Sequence, residues 1–352
     1  MNMPQPPSLR SLAALTGFSL GTVSMALRDD PRIAPKTKEL ILRTAATRGY
    51  APDPLLAGRM NQVRRRSTDS RPAVKLAHVI AWDRAEAYYE FGPFCDFRAG
   101  AAARAKEFGY ELEDYLLDDI VMHPQRLAGI LRTRAISGVL VAPVQRPHVI
   151  DARLAAGETW LDLDFAAYST IGHTVGLPRI SRTVHDHAGA LELACARLAE
   201  RGYKRIGLVL SEIMHERVRR RWLAGWVCAQ TDLVNAPQPL ISSQLKAADI
   251  FDRWLDREGP DVIVTCDWDT VSAHLRRHRL KIPSDIGLVD LQSLSANTPR
   301  AAVDQCNHEV GAAAIDIILA QINRHERGAP AIPKTVLVPG RWVEGPSVRQ
   351  SL

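Results

Sequence analysis

From residue 8 onward, apolar positions recur at helical spacing in three short blocks, each bounded by a residue that starts or stops a helix. Ser8 caps a first helix with Leu9, Leu12, Ala13 and Leu15 on its buried side. Thr16-Gly17 breaks it, because glycine takes the left-handed conformation of a tight turn. Ser19 caps a second helix from Leu20 to Leu27, with Val23 and Leu27 on one face, and Asp29-Asp30-Pro31 ends it. Pro35 opens a third, striped by Leu40, Ile41 and Ala45, and Gly49 stops it. Two short helices around a glycine turn predict a helix-turn-helix, whose second helix enters the DNA major groove. Helical bundles that bind no DNA share this periodicity.

From Val74 the pattern changes. VKLAHVIA, ISGVLVAPV, KRIGLVL, DVIVTC and DIGLVDL read as buried parallel strands. FCDFRAGAAARAKEFGY, VHDHAGALELACARLAERGY, RVRRRWLAGWVCAQ, IFDRWLDREG and VGAAAIDIILAQINRHE read as the helices between them. Repeated βα units predict an α/β body of doubly wound parallel sheets.

Charge separates the two parts. Residues 1–72 hold 12 Lys and Arg against 5 Asp and Glu, whereas the other 280 residues hold 33 against 34. A basic unit on a neutral body fits a polyanion partner such as DNA, or simply a solvated basic surface. The 46% hydrophobic and 24% charged fractions are those of a globular chain. No apolar run reaches the roughly 18 residues of a membrane span, and the N-terminus lacks a secretory signal pattern. Cys95, Cys195, Cys228, Cys266 and Cys306 lie too far apart for the common zinc spacings. A soluble, cytoplasmic chain with reduced thiols is expected.

The stretch LAALTGFSLGTVSMALRDDPRIAPKTKELILRTAATRGYAPDP carries L-A-x-x-x-G-x-S-x-x-T-V-S-x-A-L, then I-x-x-x-T, then G-Y-x-P. It resembles the headpiece of the lactose-repressor (LacI/GalR) family of bacterial regulators. The resemblance implies a DNA face of Ser19, Leu20, Gly21, Thr22, Ser24, Met25, Arg28 and Tyr50. Thr22 and Ser24 match phosphate contacts, and Leu20, Gly21 and Met25 match base-facing positions. Their apolar or absent side chains depart from the polar residues many relatives carry, which favours thymine methyl contacts and DNA shape. Relatives follow with a hinge helix that wedges an apolar residue into the minor groove. Here either Met60 is that wedge or Arg59 reads the groove without one.

GYKRIGLVL, LAGW, and DIGLVDL followed by VDQCNHEVGAAAIDIIL extend the resemblance along the chain. The implied body is a two-lobed, periplasmic-binding-protein-like core with a ligand cleft between the lobes. The division expected is a headpiece over 1–50, a hinge over 51–72 and a body over 73–350. Within the body, the first lobe takes about 73–173 and 304–330, and the second about 174–303 and 331–350. Where many relatives hold a polar ligand with arginine, an asparagine-aspartate pair and aspartate, this chain has Trp222, Cys266-Asp267 and Gln292. Trp222 either stacks on a neutral ring such as a sugar, with Asp267 accepting hydroxyl hydrogens, or fills the core behind the cleft. Trp82-Asp83 and Tyr88-Tyr89 either line the opposite wall, with Asp83 the candidate ligand contact, or form a surface cluster.

Catalysis finds little support: G-x-S-x-G, the P-loop, G-x-G-x-x-G and H-E-x-x-H are all missing. His185-Asp186-His187 is expected to be structural, since alternate residues at a strand end point to opposite sides, and no metal is expected. Asp162 and Asp164, read as a strand pair, suit ligand or water better than acid-base work. No cofactor is implied. The leading expectation is a homodimeric, effector-controlled repressor of operator DNA; the alternative is a cytoplasmic ligand carrier or enzyme on the same fold. GRWVEGPSVRQSL offers no leucine heptads for tetramers.

Overall fold

A computed structural model describes residues 8–27, 32–50, 74–81, 89–90, 92–116, 124–143, 163–172, 180–230, 236–292 and 299–350. Arg28, Arg59, Met60, Asp83, Asp162, Trp82 and Tyr88 lie outside them, as does the expected hinge over 51–72.

The N-terminal unit has α1 (Leu9–Thr16), α2 (Leu20–Leu27) and α3 (Pro35–Thr47). Ser8 and Ser11 cap α1 reciprocally, each hydroxyl accepting the other's backbone N–H, at 3.1 and 2.7 Å. Gly17, at φ 73°, closes α1 by donating to the Ala13 carbonyl. Leu12, Val23, Ala26, Ile41 and Ala45 form the core. Leu15 and Leu40, expected inward, are 51% and 41% exposed. On α1, Leu9, Leu12 and Ala13 occupy the inward sector, and Leu15 falls roughly 60° beyond Leu12 at 3.6 residues per turn.

The first sheet has the order β11-β5-β4-β3-β1-β2 and the second β12-β10-β9-β8-β6-β7. In chain order the body runs β1 (Val74–Ile80), α4 (Gly92–Glu107), β2 (Tyr110–Leu116), α5 (Pro124–Thr133), β3 (Gly138–Val141), β4 (Ala167–Ile171) and β5 (Ser181–His185). The second sheet's elements follow as α6 (His187–Glu200), β6 (Ile206–Ser211), α7 (Glu212–Arg217), α8 (Arg221–Ala229) and β7 (Leu240–Ser242). Next come α9 (Ala248–Glu258), β8 (Val262–Thr265), α10 (Trp268–Arg277), β9 (Gly287–Asp290) and β10 (Ala302–Asp304). Finally α11 (Asn307–Arg324) and β11 (Thr335–Val338) return to the first sheet, and β12 (Arg341–Val343) to the second. All pairings are parallel except β10 with β12. Strands buried on both faces, such as Gly138–Val141 and Val262–Thr265, explain the unbroken apolar runs.

The chain passes between lobes after β5, β10 and β11. The expected lobe division therefore needs correction, because β5 and β11 were assigned to the second lobe and pair in the first sheet. The crossings are tied together. The Asp186 N–H donates to the Val338 carbonyl at 2.8 Å, and His185 Nε2 lies 2.9 Å from Asn307 Oδ1. Arg341 Nε lies 3.1 Å from Cys306 Sγ.

Three other readings change. The segment expected as a helix from Val184 begins as strand β5, and α6 starts only at His187. RVRRRWLAGWVCAQ is not one helix, because Arg219 and Arg220 take left-handed φ values of 51° and 61° between α7 and α8. Asp164 sits in a turn, not a strand. Among the described residues, no helix is long and apolar enough to cross a membrane.

Candidate functional site

On the headpiece, the Ser19 hydroxyl accepts the Thr22 N–H at 3.1 Å and lies 2.9 Å from the Thr22 hydroxyl. That cap fixes the start of α2 and orients Thr22. With Val23 and Ala26 turned into the core, Leu20 and Gly21 are exposed and Ser24 and Met25 half-exposed. A Cβ at Gly21 would meet nothing nearer than Ser19 Oγ at 3.7 Å, so the backbone here is open to close approach. Tyr50 packs partly against the headpiece core instead of standing free. Arg32 was missed by sequence reasoning: its Nη2 lies 3.7 Å from Met25 Sδ, bringing a cation to the exposed face of α2. Arg32 lies seven positions along the chain from Met25 and beyond the end of α2, so no helical periodicity connects them.

In the body, Cys266, Asp267 and Gln292 gather at the carboxyl ends of neighbouring strands β8 and β9, where open α/β sheets bind ligands. One Asp267 carboxylate oxygen accepts the Ser211 N–H at 2.7 Å, tying β8 to the end of β6. The Asp267 N–H donates to Thr265 Oγ1 at 2.9 Å. Asp290 pairs with Arg300 at 3.0 Å and accepts the Gln292 N–H at 2.9 Å. Burial nevertheless pushes the Asp290 carboxyl above its ordinary value. Burial, with Asp267 and Asp290 nearby, holds Cys266 as a thiol by raising it well above the usual value. A protonated thiol is a poor nucleophile.

Trp222 is not a stacking platform. Its side chain is fully buried in the second-lobe core. A Cβ at Gly225 would lie 2.4 Å from the Ala188 carbonyl, so α8 touches α6 backbone to backbone. Trp222 and Trp226 share that face of α8 and are drawn in with it. Among the described residues, the Trp222 indole N–H has no hydrogen-bond partner. An unmet buried donor costs about 1–3 kcal/mol.

His185 and His187 also depart from expectation. Their rings do not diverge but stand 5.3 Å apart, edge to face, because the chain turns from β5 into α6 between them. They belong to a column of rings, Phe94, Phe97, His185, His187 and Trp222, that runs from α4 in the first lobe to α8 in the second. Burial lowers His185 to about 4, against the hydrogen bond to Asn307 and with help from Arg217. Among the described residues, no group of three or more His, Cys, Asp and Glu is placed to hold a metal.

The strained turn adjoins this column. Arg217 Cζ lies 5.7 Å from the centre of the Phe94 ring, across the lobe boundary. A left-handed conformation costs roughly 1–2 kcal/mol for a non-glycine residue, and Arg219 and Arg220 both adopt it. Sequence reasoning passed over this arginine run as helix.

Comparison with known proteins agrees with this architecture. Residues 195–348 match the family described as periplasmic binding protein-like domain. The HTH-type transcriptional regulator CelR of Thermobifida fusca is 27% identical over 206 residues, 58% of this chain and 55% of that protein. The HTH-type transcriptional regulator RafR of Escherichia coli is 26% identical over 223 residues, 61% of this chain and 60% of that protein. The chain thus matches little more than half the length of these curated relatives. A solved CelR-cellobiose complex aligns over 97% of this chain and 99% of its own, with TM-score 0.54 and 18% identity. The Lac repressor dimer bound to operator and the anti-inducer ONPF gives the same coverage, with TM-score 0.53 and 16% identity. The resemblance carried by the headpiece motif therefore extends through the body, and the chain has the fold of the LacI-family transcriptional regulators: a helix-turn-helix headpiece followed by a two-lobed, periplasmic-binding-protein-like core.

Proposed function

We propose that this chain is a sequence-specific DNA-binding transcription regulator, acting as a repressor, whose operator affinity is set by a small molecule bound between the lobes. The observation that carries the reading is the exposed face of α2: Leu20, Gly21, Ser24 and Met25 stand outward on a Ser19-capped helix above a packed core. In this reading Thr22 and Ser24 contact phosphates, Leu20, Gly21 and Met25 face bases, and Arg28, Tyr50, Arg59 and Met60 complete the interface. One recognition helix per chain reads a half-site, so the working unit is a homodimer on a pseudo-palindrome. The chain works in the cytoplasm and is not an enzyme, a reading supported by its regulator relatives.

The effector is a sugar or related metabolite, as the cellobiose and ONPF complexes of structural relatives suggest. Asp267, Cys266 and Gln292 meet it from the second lobe and Asp83 from the first. Trp222 backs the site as part of the second-lobe core rather than as a stacking face. Lobe rotation about the three crossings changes the spacing of the two headpieces in a dimer, so ligand and DNA alter each other's affinity equally. A coupling of about 1–3 kcal/mol is ordinary for such systems.

Selection from a random-sequence DNA pool with the full chain tests the reading. A palindromic motif is expected, and recovery of no enriched sequence removes it.

A further inference from the structure

We propose that residues 212–229 form a two-state element, broken into α7 and α8 in the lobe arrangement described above and wound into one continuous helix in another. The proposal rests on the ligand-controlled reading above and supplies its moving part.

The broken form ends α7 in the manner of a glycine stop. The Arg219 N–H donates to the Glu216 carbonyl and the Arg220 N–H to the His215 carbonyl, both at 2.9 Å. This pair of bonds turns the chain through a left-handed residue, a position that glycine fills at little cost. Here arginine fills it, and a second left-handed arginine follows, at φ 51° and 61°. Such a turn persists only where its surroundings hold it, and strain of this kind concentrates at switches.

The continuous form is carried by the same residues. Met214, Val218, Trp222 and Trp226 recur at every fourth position, so one unbroken helix would present them on a single face. Val218, Trp222 and Trp226 already lie in one core cluster of the second lobe. Glu216 and Arg220 already pair at 3.0 Å across the break, at the i, i+4 spacing of a helix. Winding therefore keeps the apolar face and the ion pair while relieving two strained residues.

Contacts at both ends of α7 oppose winding. At its start the Ser211 N–H is held at 2.7 Å by Asp267, the candidate effector residue. At its end Arg217 Cζ lies 5.7 Å from the centre of the Phe94 ring, on α4 of the first lobe. Phe94 is itself buried against Phe97, with ring centres 5.9 Å apart. Lobe rotation that parts Arg217 from Phe94 frees α7 to align with α8, and an effector on Asp267 acts at the other end. The turn is thereby coupled to the angle between the lobes.

Fluorine NMR of the full chain labelled with 4-fluorophenylalanine tests this without effector or DNA. The Phe94 signal is assigned by its loss in Phe94→Leu. Glycine relieves left-handed strain and alanine favours helix, so paired substitutions push the equilibrium in opposite directions. Phe94 is expected to give two signals. Their ratio should differ about fivefold or more between Arg219→Gly/Arg220→Gly and Arg219→Ala/Arg220→Ala, since helix propensity alone contributes about that factor at each residue. A static turn would change the thermal midpoint but leave the ring of the other lobe unmoved, so one unchanged Phe94 signal in both variants overturns the proposal. On the selected operator the two variants are expected to shift affinity in opposite directions, and equal affinities also overturn it. The fluorine signal needs no DNA, so failure of the regulator reading is seen separately.

Discussion

The His187 imidazole stands edge-on to the Trp222 indole, ring centres 4.7 Å apart and planes at 83°. This contact joins the first turn of α6 to the first turn of α8 and makes Trp222 a packing residue. Trp222→Ala is therefore expected to destabilise the fold by about 3–5 kcal/mol, the range for emptying a large aromatic site. Urea unfolding measures it. A loss under 1 kcal/mol would mean that the indole is not packed in this way.

Asp267 holds the Ser211 N–H and stands at the carboxyl edge of the second sheet. Asp267→Asn retains an acceptor for that N–H but loses the charge that strengthens hydrogen bonds to ligand hydroxyls. The expected outcome is a stability change within about 1 kcal/mol and a loss of roughly tenfold in effector affinity, the size of a charge-assisted hydrogen bond. Operator titrations with and without effector read the second effect. An unchanged ligand response would remove Asp267 from the site.

His185 titrates at about 4 in the folded chain, below its ordinary 6.5. Above pH 6.5 it is neutral whether folded or unfolded and adds no pH dependence. Between pH 6.5 and about 4 the unfolded chain takes up a proton that the folded chain refuses, so stability falls. The full loss is about 3 kcal/mol. His78 and His215 are also lowered by burial and add to the same slope, so the variant isolates His185. In thermal melts, His185→Gln should show a shallower fall over this window than wild type. Identical profiles would contradict the burial of His185 at the lobe crossing.

Asp114 accepts from His78, Tyr89 and Arg98, at 2.9, 2.6 and 3.0 Å. These partners outweigh its burial and hold the carboxyl at about 2. Its stabilisation is complete above the ordinary carboxylate value of 3.8 and disappears as pH falls through 2. Asp114→Asn should lower the midpoint at pH 7 but much less at pH 2, so the two melting curves converge in acid. Curves that stay parallel would show that the charge carries none of the effect.

On the headpiece, Thr22→Ala removes a hydroxyl that is held by Ser19 and is expected to weaken binding to all DNA sequences alike. Met25→Gln should change which sequence is preferred, because Met25 stands on the outward face of α2 beside Arg32. Affinity should fall by roughly 10³-fold between 50 and 200 mM salt, as expected for several neutralised phosphates. If Met25→Gln kept both affinity and preference, the recognition face would lie elsewhere.

The three headpiece helices were legible because their boundaries are local events. Ser8, Gly17, Ser19 and Pro35 each act within one turn of chain, and α2 runs from Leu20 to Leu27 as the capping pattern predicts. The buried central strands were legible for a similar reason, since a strand covered on both faces must be apolar throughout. Strand β5, SRTVH, escaped notice because its apolar signal is a single valine; it is held by pairing with β4 and β11, some 10 and 150 residues away in the chain.

The sequence by itself determined the helix-turn-helix, the α/β class and the confinement of net charge to the first 72 residues, because capping, periodicity and composition are written in neighbouring residues. Tertiary structure alone decided that Trp222 is core, that His185 and His187 meet instead of diverging, and that β5 and β11 belong to the first lobe. The burial of Trp222 and the lobe of β5 and β11 depend on segments distant in sequence coming together, through the close helix contact at Gly225 and the strand pairing, whereas the strand-to-helix turn at Asp186 sets the direction of the two histidines.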